Sequence, residues 1–500
     1  NILAKQFIFE KDIQRASNLS EKLLNTSYAY SFDMLGEAAL TYEDADLYFQ
    51  NYKNAINVIG NSNYTQHHSI SIKLSALHPR YERKKIALLE KELLPKLFEL
   101  IEMARICKVD VCFDAEEADR LNLSLLLVNK ILESKLIDES YFGFGMAVQA
   151  YQQRSMFVLE FLSNKLNTIN KKMNIRLVKG AYWDTEIKLA QEQGLPNYPV
   201  FTKKFVTDLS YLKCAHILEK SDNIFSQFAT HNAYTISYVQ TLFGNKPHEF
   251  QKLHGMGDEI YNHFLDQNDF RCRVYAPVGG YNDLLPYLVR RLLENGANTS
   301  FIHQLNKKDV NIENLIQSPL DKIDKLDFKE IEIPLNLFAD RKNSLGIDLS
   351  EEDNISIYSK LESIENIAAY NIIEGKDVSS QIETNIVSPY LRSKVIGKAF
   401  FADSKIVDHA FESLNTYSSI WKNEDSNNRI EIINNFSNLL ELNYLQLVSA
   451  CVKEAGKTIP DAIADIREAI DFCRYYGVLA KDLFREVKLP GPTGEKRTRQ

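Results

Sequence analysis

Ser69-Ile-Ser-Ile-Lys-Leu-Ser75 is a short β-rich run, and a long amphipathic stretch, Ile86–Cys107, comes after it. The unit then repeats: Asp110-Val-Cys-Phe-Asp-Ala115 precedes the helical pattern of Glu116–Leu132. Working outward, further strand-like runs lie at Tyr28–Leu35, Phe142–Gln149, Asn174–Gly180, Phe225–Thr230, Glu249–His254 and Cys272–Val278. Ser155–Ile169 and Ala233–Phe243 supply more helical periodicity between them. Strands alternating with helices argue a parallel sheet, because parallel neighbours need a crossover. Eight strand-like runs between residues 28 and 305 fit a closed (β/α)8 barrel better than an open doubly wound sheet. No G-x-G-x-x-G turn follows a strand, which further weakens the open alternative.

Residues 1–27 read as a helical lead-in, 28–305 as the barrel and 306–385 as a polar linker with short helices. From Ile386 a second α/β unit begins, with an extended start and helical patterns at Ile406–Leu414, Arg429–Glu454 and Asp461–Arg485. Pro490 and Pro492 after Leu489 form a stop signal. The start at Asn1 and the unclosed carboxyl end read as a piece of something longer.

The 500 residues are 45% hydrophobic and 25% charged, the balance of a globular protein. A net charge of −8 does not invite a polyanion, so DNA binding is not indicated. No apolar run approaches the roughly 20 residues of a membrane span. The six cysteines lack a CxxC pair or metal-like spacing, so reduced thiols in a cytoplasmic protein are the simpler reading.

Chemistry in such barrels gathers at the carboxyl ends of the strands. Those ends carry Asp33 and Glu37, Lys73, Asp114, Gln149, Arg176 with Lys179-Gly180-Ala181-Tyr182-Trp183, Thr230-His231-Asn232, Gln251 to His254, and Tyr275. Lys73 could face outward, but charge on a buried strand needs a partner or a purpose. Asp114 and Asp119 could cap the next helix, and Asp119 reads as a cap. His231 and His254 could be hydrogen-bonded structural histidines, and no ligand spacing points to a metal. Tyr182 and Trp183 offer a flat wall, though core packing explains them as readily. The stripe Tyr287, Arg290, Arg291 and Glu294 recurs at i, i+3, i+4 and i+7 on one helix, Tyr281–Asn295. Two guanidiniums there can grip a small carboxylate, or form a solvated face. Cations, amides and aromatics, without a G-x-S-x-G elbow, suit a planar anionic cofactor better than hydrolysis.

Six strings go further: Tyr30-Ser-Phe-Asp-Met-Leu-Gly-Glu-Ala-Ala, Ser71-Ile-Lys-Leu-Ser-Ala-Leu-His-Pro-Arg, Asp114-Ala-Glu-Glu-Ala-Asp-Arg, Arg176-Leu-Val-Lys-Gly-Ala-Tyr-Trp-Asp, Ala229-Thr-His-Asn and Tyr287-Leu-Val-Arg-Arg-Leu-Leu-Glu-Asn-Gly. Together they resemble the proline dehydrogenase domain of the bifunctional proline utilization A family. Val452–Tyr476 is similar to the amino-terminal part of that family's pyrroline-5-carboxylate dehydrogenase domain. The resemblance implies an FAD-dependent oxidation of L-proline to pyrroline-5-carboxylate, with electrons passed to a membrane quinone. It implies NAD-dependent oxidation of glutamate semialdehyde by the parent protein. A homo-oligomer, peripheral at the inner face of the cytoplasmic membrane, is expected.

By the family pattern Arg290, Arg291 and Lys73 hold the proline carboxylate, and Glu37 pairs with an arginine. Tyr275, Tyr287, Leu253 and Ala181 wall the ring, and Asp114 lies close by. The flavin set is Gln149, Arg176, Val178, Lys179, Gly180, Ala181, Trp183, Thr202, Lys203, Ala229, Thr230, His231, Asn232, Gln251, Arg291 and Glu294. The second unit stops before the family's cysteine and NAD region, so no second active site is expected in these residues.

Overall fold

The structure is a computed structural model. It describes all residues except 1–5, 24–27, 63–66, 139–140, 266–269, 281–283, 297–317, 322–330, 352–353, 355, 363–366, 485–486, 490, 492–496 and 500. The chain forms two compact units, one of residues 1–188 and 198–331, the other of 189–197 and 332–500.

All eight runs read as strands are strands: β1 (Tyr28–Met34), β2 (Ser69–Ile72), β3 (Asp110–Phe113), β4 (Phe144–Gln149), β5 (Met173–Val178), β6 (Ile224–Ala229), β7 (His248–Leu253) and β8 (Cys272–Val278). Each pairs in parallel with the next, and β8 closes on β1 from Tyr28↔Cys272 to Met34↔Val278. The expected (β/α)8 barrel is therefore formed.

The strand pleat sorts the core. Phe32, Ile70, Ile72, Phe113, Phe144, Ile175, Leu177, Phe228 and Phe250 are wholly or almost wholly buried and belong to the main apolar cluster. That cluster takes in helix residues such as Leu93, Leu97, Leu127, Leu162 and Val239, so these strand residues pack outward against the helices. The alternate positions point inward and are largely polar. Ser31 Oγ meets Ser71 Oγ at 3.1 Å, and Arg176 on β5 reaches Ser71 on β2. A charged interior is unusual for this architecture, whose inner layers are mostly branched apolar residues. It sets up everything at the mouth.

Helix starts follow local chemistry. Thr41 and Asp44 form a capping box on Tyr42–Gly60, and Asn232 Oδ1 accepts from Thr235 N at 3.2 Å to cap Ala233–Phe243. The stretch Glu116–Leu132 differs from expectation. A 3-10 turn, Ala118–Arg120, comes first and the α-helix is Leu121–Glu133. Asp119 thus lies inside the turn rather than capping it. The closing helix spans Leu285–Gly296, with 281–283 outside the described residues.

In the second unit the stretch read as one helix, Arg429–Glu454, is two: Ser426–Leu442 and Tyr444–Ala455. Asn443 breaks it, its side-chain amide turning back to the Leu439 carbonyl at 2.8 Å. The linker stretch 306–385 lies partly outside the described residues. Within it Asn371–Ile373 pairs with Lys376–Val378 across Glu374-Gly375, both at positive φ. That two-residue turn matches the twist of a hairpin. Ile357, Leu361, Val448, Ile463, Ile466 and Ile470 form this unit's core.

Candidate functional site

Four charged side chains meet at the carboxyl end of the barrel. Asp33 lies next to the end of β1, Lys73 follows β2, Asp114 follows β3 and Arg176 lies on β5. Lys73 Nζ is 2.5 Å from Asp33 Oδ1 and 3.3 Å from Asp114 Oδ2. Arg176 donates to Asp114 and, at 3.0 Å, to Ser71 Oγ. Tyr275 Oη on β8 donates to Asp114 Oδ2 at 2.7 Å, and its ring lies 5.3 Å from the Arg176 guanidinium. Asp33, Lys73, Arg176 and Tyr275 are buried, Asp33 at 0% exposure, and the Asp114 side chain is 8% exposed. Lys73 faces inward, which settles the outward alternative against it, and Asp114 is an ion-pair partner rather than a cap.

The quartet is electrically balanced, two cations against two carboxylates. Burial works against the Asp114 carboxylate, but Arg176 and Lys73 outweigh it and its pKa falls below the ordinary value. Complete burial raises the pKa of Asp33, with Lys73 pulling the other way. Burial also opposes the charge on Lys73, yet Asp33 and the neighbouring acids raise its pKa and keep it protonated.

Above the quartet sits the closing helix. Arg290 makes a two-pronged bond to Glu37 at 2.7 and 2.8 Å, and its guanidinium lies 5.0 Å from the Tyr182 ring centre. Burial opposes ionisation of Glu37, but the Arg290 bond and charge prevail and lower its pKa. Arg291 is 7% exposed, with its guanidinium 5.3 Å from the Tyr287 ring centre. Tyr287, Tyr275, Leu35, Met256 and Leu284 form an apolar cluster, with Leu253 partly buried against it. Tyr287, Arg290 and Arg291 therefore turn toward the mouth, whereas Leu285, Val289 and Leu292 of the same helix are exposed. Ala181, on the loop after β5, is exposed. The side chain of Glu294 lies outside the described residues.

The remaining expected cofactor residues lie on β4 to β7 and the loops beyond them. Gln149 donates to the Glu116 carbonyl at 3.1 Å. Val178 pairs with Gln149 at the end of β5, and Lys179 is ion-paired with Asp208. Gly180 has φ +130°, and a Cβ there would meet the Tyr151 ring at 2.5 Å, so no other residue fits. Trp183 donates its indole N–H to the Phe201 carbonyl at 2.9 Å, beside the partly buried Thr202 and Lys203. Ala229, at the end of β6, gives its carbonyl to Tyr211, and Thr230 accepts from Asn232 N at 3.2 Å. His231 Nε2 accepts from Leu253 N at 3.1 Å, and the Gln251 carbonyl accepts from Thr230 N. Two lysines and an arginine among neutral amides and hydroxyls make a donor set that fits a large anionic cofactor with polar ring edges.

Sequence reading assigned no role to several neighbours. Glu116 is buried, accepting from Ser75 and from Arg120 at 2.7 Å. Glu186 accepts from Ala118 N at 2.7 Å and Tyr151 Oη at 3.5 Å, and burial pushes its pKa up to about 7. Each lies among other charged residues, in Asp114-Ala-Glu-Glu-Ala-Asp-Arg120 and Trp183-Asp-Thr-Glu-Ile-Lys188, so the sequence carries no signal that singles them out. Among the described residues, no group of three or more His, Cys, Asp and Glu side chains could hold a metal. No helix there is long and apolar enough to cross a membrane.

Known proteins resemble this chain in sequence and in fold. The proline dehydrogenase family profile matches residues 16–304, and that of the aldehyde dehydrogenase family matches 377–499. The bifunctional protein PutA of Escherichia coli is 38% identical over 98% of this chain and 39% of its own length. Proline dehydrogenase 1 of Bacillus subtilis is 25% identical over 60% of this chain and 89% of its own. The crystal structure of PutA from Bdellovibrio bacteriovorus inactivated by N-propargylglycine is similar with a TM-score of 0.88 and 26% identity. That match covers 99% of this chain and 54% of the other. The chain thus spans about two-fifths of the length of its bifunctional relative.

Proposed function

The chain belongs to the proline dehydrogenase family, and on that premise we propose that the barrel oxidises L-proline to pyrroline-5-carboxylate using FAD. The observation carrying this reading is the mouth itself. A buried, charge-balanced quartet lies beneath an apolar wall, and two arginines reach in from the closing helix.

Arg291, with Arg290 and Lys73, is suited to fix the carboxylate of proline. Two guanidiniums and an ammonium give directed donors where water is scarce, and such bonds are the stronger kind. Tyr275, Tyr287, Leu253 and Ala181 would wall the pyrrolidine ring. The Glu37–Arg290 pair ties the β1 loop to the closing helix, so substrate entry has to work around or through that pair. Fixing the carboxylate orients the ring carbon beside the amine, which supplies proximity and alignment. The chemistry FAD would supply when bound is that of a hydride acceptor for that carbon. Gln149, Arg176, Val178, Lys179, Gly180, Ala181, Trp183, Thr202, Lys203, Ala229, Thr230, His231, Asn232, Gln251, Arg291 and Glu294 would hold it. Arg176, fixed by Asp114 and Ser71, contributes standing positive potential there without rearranging.

The same reading takes a quinone as electron acceptor, with peripheral membrane association and a homo-oligomeric cytoplasmic enzyme. It assigns NAD-dependent oxidation of glutamate semialdehyde to the parent protein, through residues outside this sequence. Residues 1–27 serve as lead-in, 28–305 as the redox barrel, 306–385 as linker and 386–500 as the start of the second enzyme. The test is turnover of the FAD-loaded chain with L-proline and an artificial dye acceptor. Accumulation of pyrroline-5-carboxylate is expected; dye reduction absent at saturating proline would overturn the reading.

A further inference from the structure

We propose that Asp33 is a positioning residue for substrate binding that acts through Lys73, holding its ammonium off Asp114 and toward the mouth. The inference rests on the proline dehydrogenase reading above and gives a role to a side chain that reading leaves unused. Asp33 is fully buried, makes the shorter of the two contacts to Lys73, and its Oδ2 accepts no hydrogen bond among the described residues. A buried carboxylate oxygen without a donor is costly, and such cost persists where the position itself is needed.

Asp114 already takes Arg176 on one oxygen and Tyr275 on the other. Lys73 has three N–H donors; Asp33 accepts one and Asp114 lies at ion-pair distance, which among the described residues leaves a donor for a ligand. Without Asp33, the ammonium has only Asp114 to balance it in a dry site. It would swing onto Asp114 Oδ2 and compete with the Tyr275 hydroxyl for that oxygen. One carboxylate donor would then be withdrawn from the mouth, and a wall residue would lose its anchor. Lys73 N also donates to Tyr52 Oη at 3.1 Å, so the backbone is pinned and only the side chain can move.

Charge and position predict opposite signs, which makes the inference testable. Removing a negative charge would by itself strengthen binding of an anion; losing the position of Lys73 weakens it. The experiment measures equilibrium binding of a five-membered-ring carboxylate lacking the amine, by calorimetry, together with KM and kcat for L-proline. Asp33→Asn should weaken analogue binding roughly tenfold to a hundredfold, the worth of one charged hydrogen bond. KM should rise more than kcat falls. Asp33→Glu keeps the charge but moves the oxygens, and should also weaken binding, giving a second reading should Asp33→Asn fold poorly. In a Lys73→Met background, Asp33→Asn should have no further effect on binding, because the residue acts only through the lysine. Tighter or unchanged binding in Asp33→Asn, or an equal loss with and without Lys73, overturns the inference. Absence of proline turnover in the unaltered protein would instead overturn the functional reading.

Discussion

Two charge clusters lie inside one barrel, one at each end of the strands, and they differ in how fully their members are bonded. At the amino-terminal end, Arg273 on β8 holds Glu249 with two bonds, at 2.6 and 3.2 Å. It also reaches the Tyr30 and His67 carbonyls and Ser69 Oγ. Glu249 in turn accepts from Gln227 at 2.7 Å. At the carboxyl end, among the described residues, Asp33 Oδ2 accepts no hydrogen bond and Lys73 keeps a donor in reserve. The same polar strand positions serve both. The saturated cluster fastens the closure of the barrel between β8, β7, β1 and β2, and the unsaturated one holds charges ready for something that arrives.

If that contrast is right, substitutions at the two ends should separate stability from binding. Arg273→Ala has the largest expected effect: Glu249 is left buried and unpaired, at a cost of about 3–5 kcal/mol in a denaturant melt. Protein that remains folded should bind proline normally. Arg291→Ala should do the reverse, lowering affinity for a proline analogue by about 2–5 kcal/mol while the melting temperature stays close to that of the parent. Equal losses of stability in both variants would erase the distinction.

Glu186 sharpens the comparison with a smaller effect. Its pKa is raised from 4.5 to about 7, chiefly by burial. The folded state then binds more protons than the unfolded state between those values. Stability therefore declines as pH rises from about 4.5 to 7 and levels off above, by roughly 3 kcal/mol at most. Glu186→Gln should flatten that slope and raise stability near pH 8. A Gln variant with the same slope would assign the pH dependence elsewhere.

Much of this is legible in the sequence. The strands announced themselves because each short β-rich run is bounded by long helical periodicity, and barrel chemistry is confined to the strand ends. That confinement brought Lys73, Asp114, Arg176 and Tyr275 to attention. What stayed hidden is contact across sequence distance. The pairing of Lys73 with Asp33 joins β1 to β2, Arg273 with Glu249 joins β8 to β7, and Lys179 meets Asp208 on a different element. Periodicity says which face a residue takes but not which charge it will find there. The break at Asn443 was missed for the opposite reason, since one side-chain amide outbids a strong helical pattern on either side. The hairpin turn at Glu374-Gly375 escaped because its strands are only three residues long.

The central claim is that this mouth orients proline for oxidation by a bound flavin. The most direct measurement is an anaerobic titration of the FAD-loaded chain with L-proline, following flavin absorbance at about 450 nm. The account predicts stoichiometric bleaching by L-proline, and none by pyrrolidine, which lacks the carboxylate that Arg290 and Arg291 would hold. Bleaching by both alike, or by neither, would contradict it.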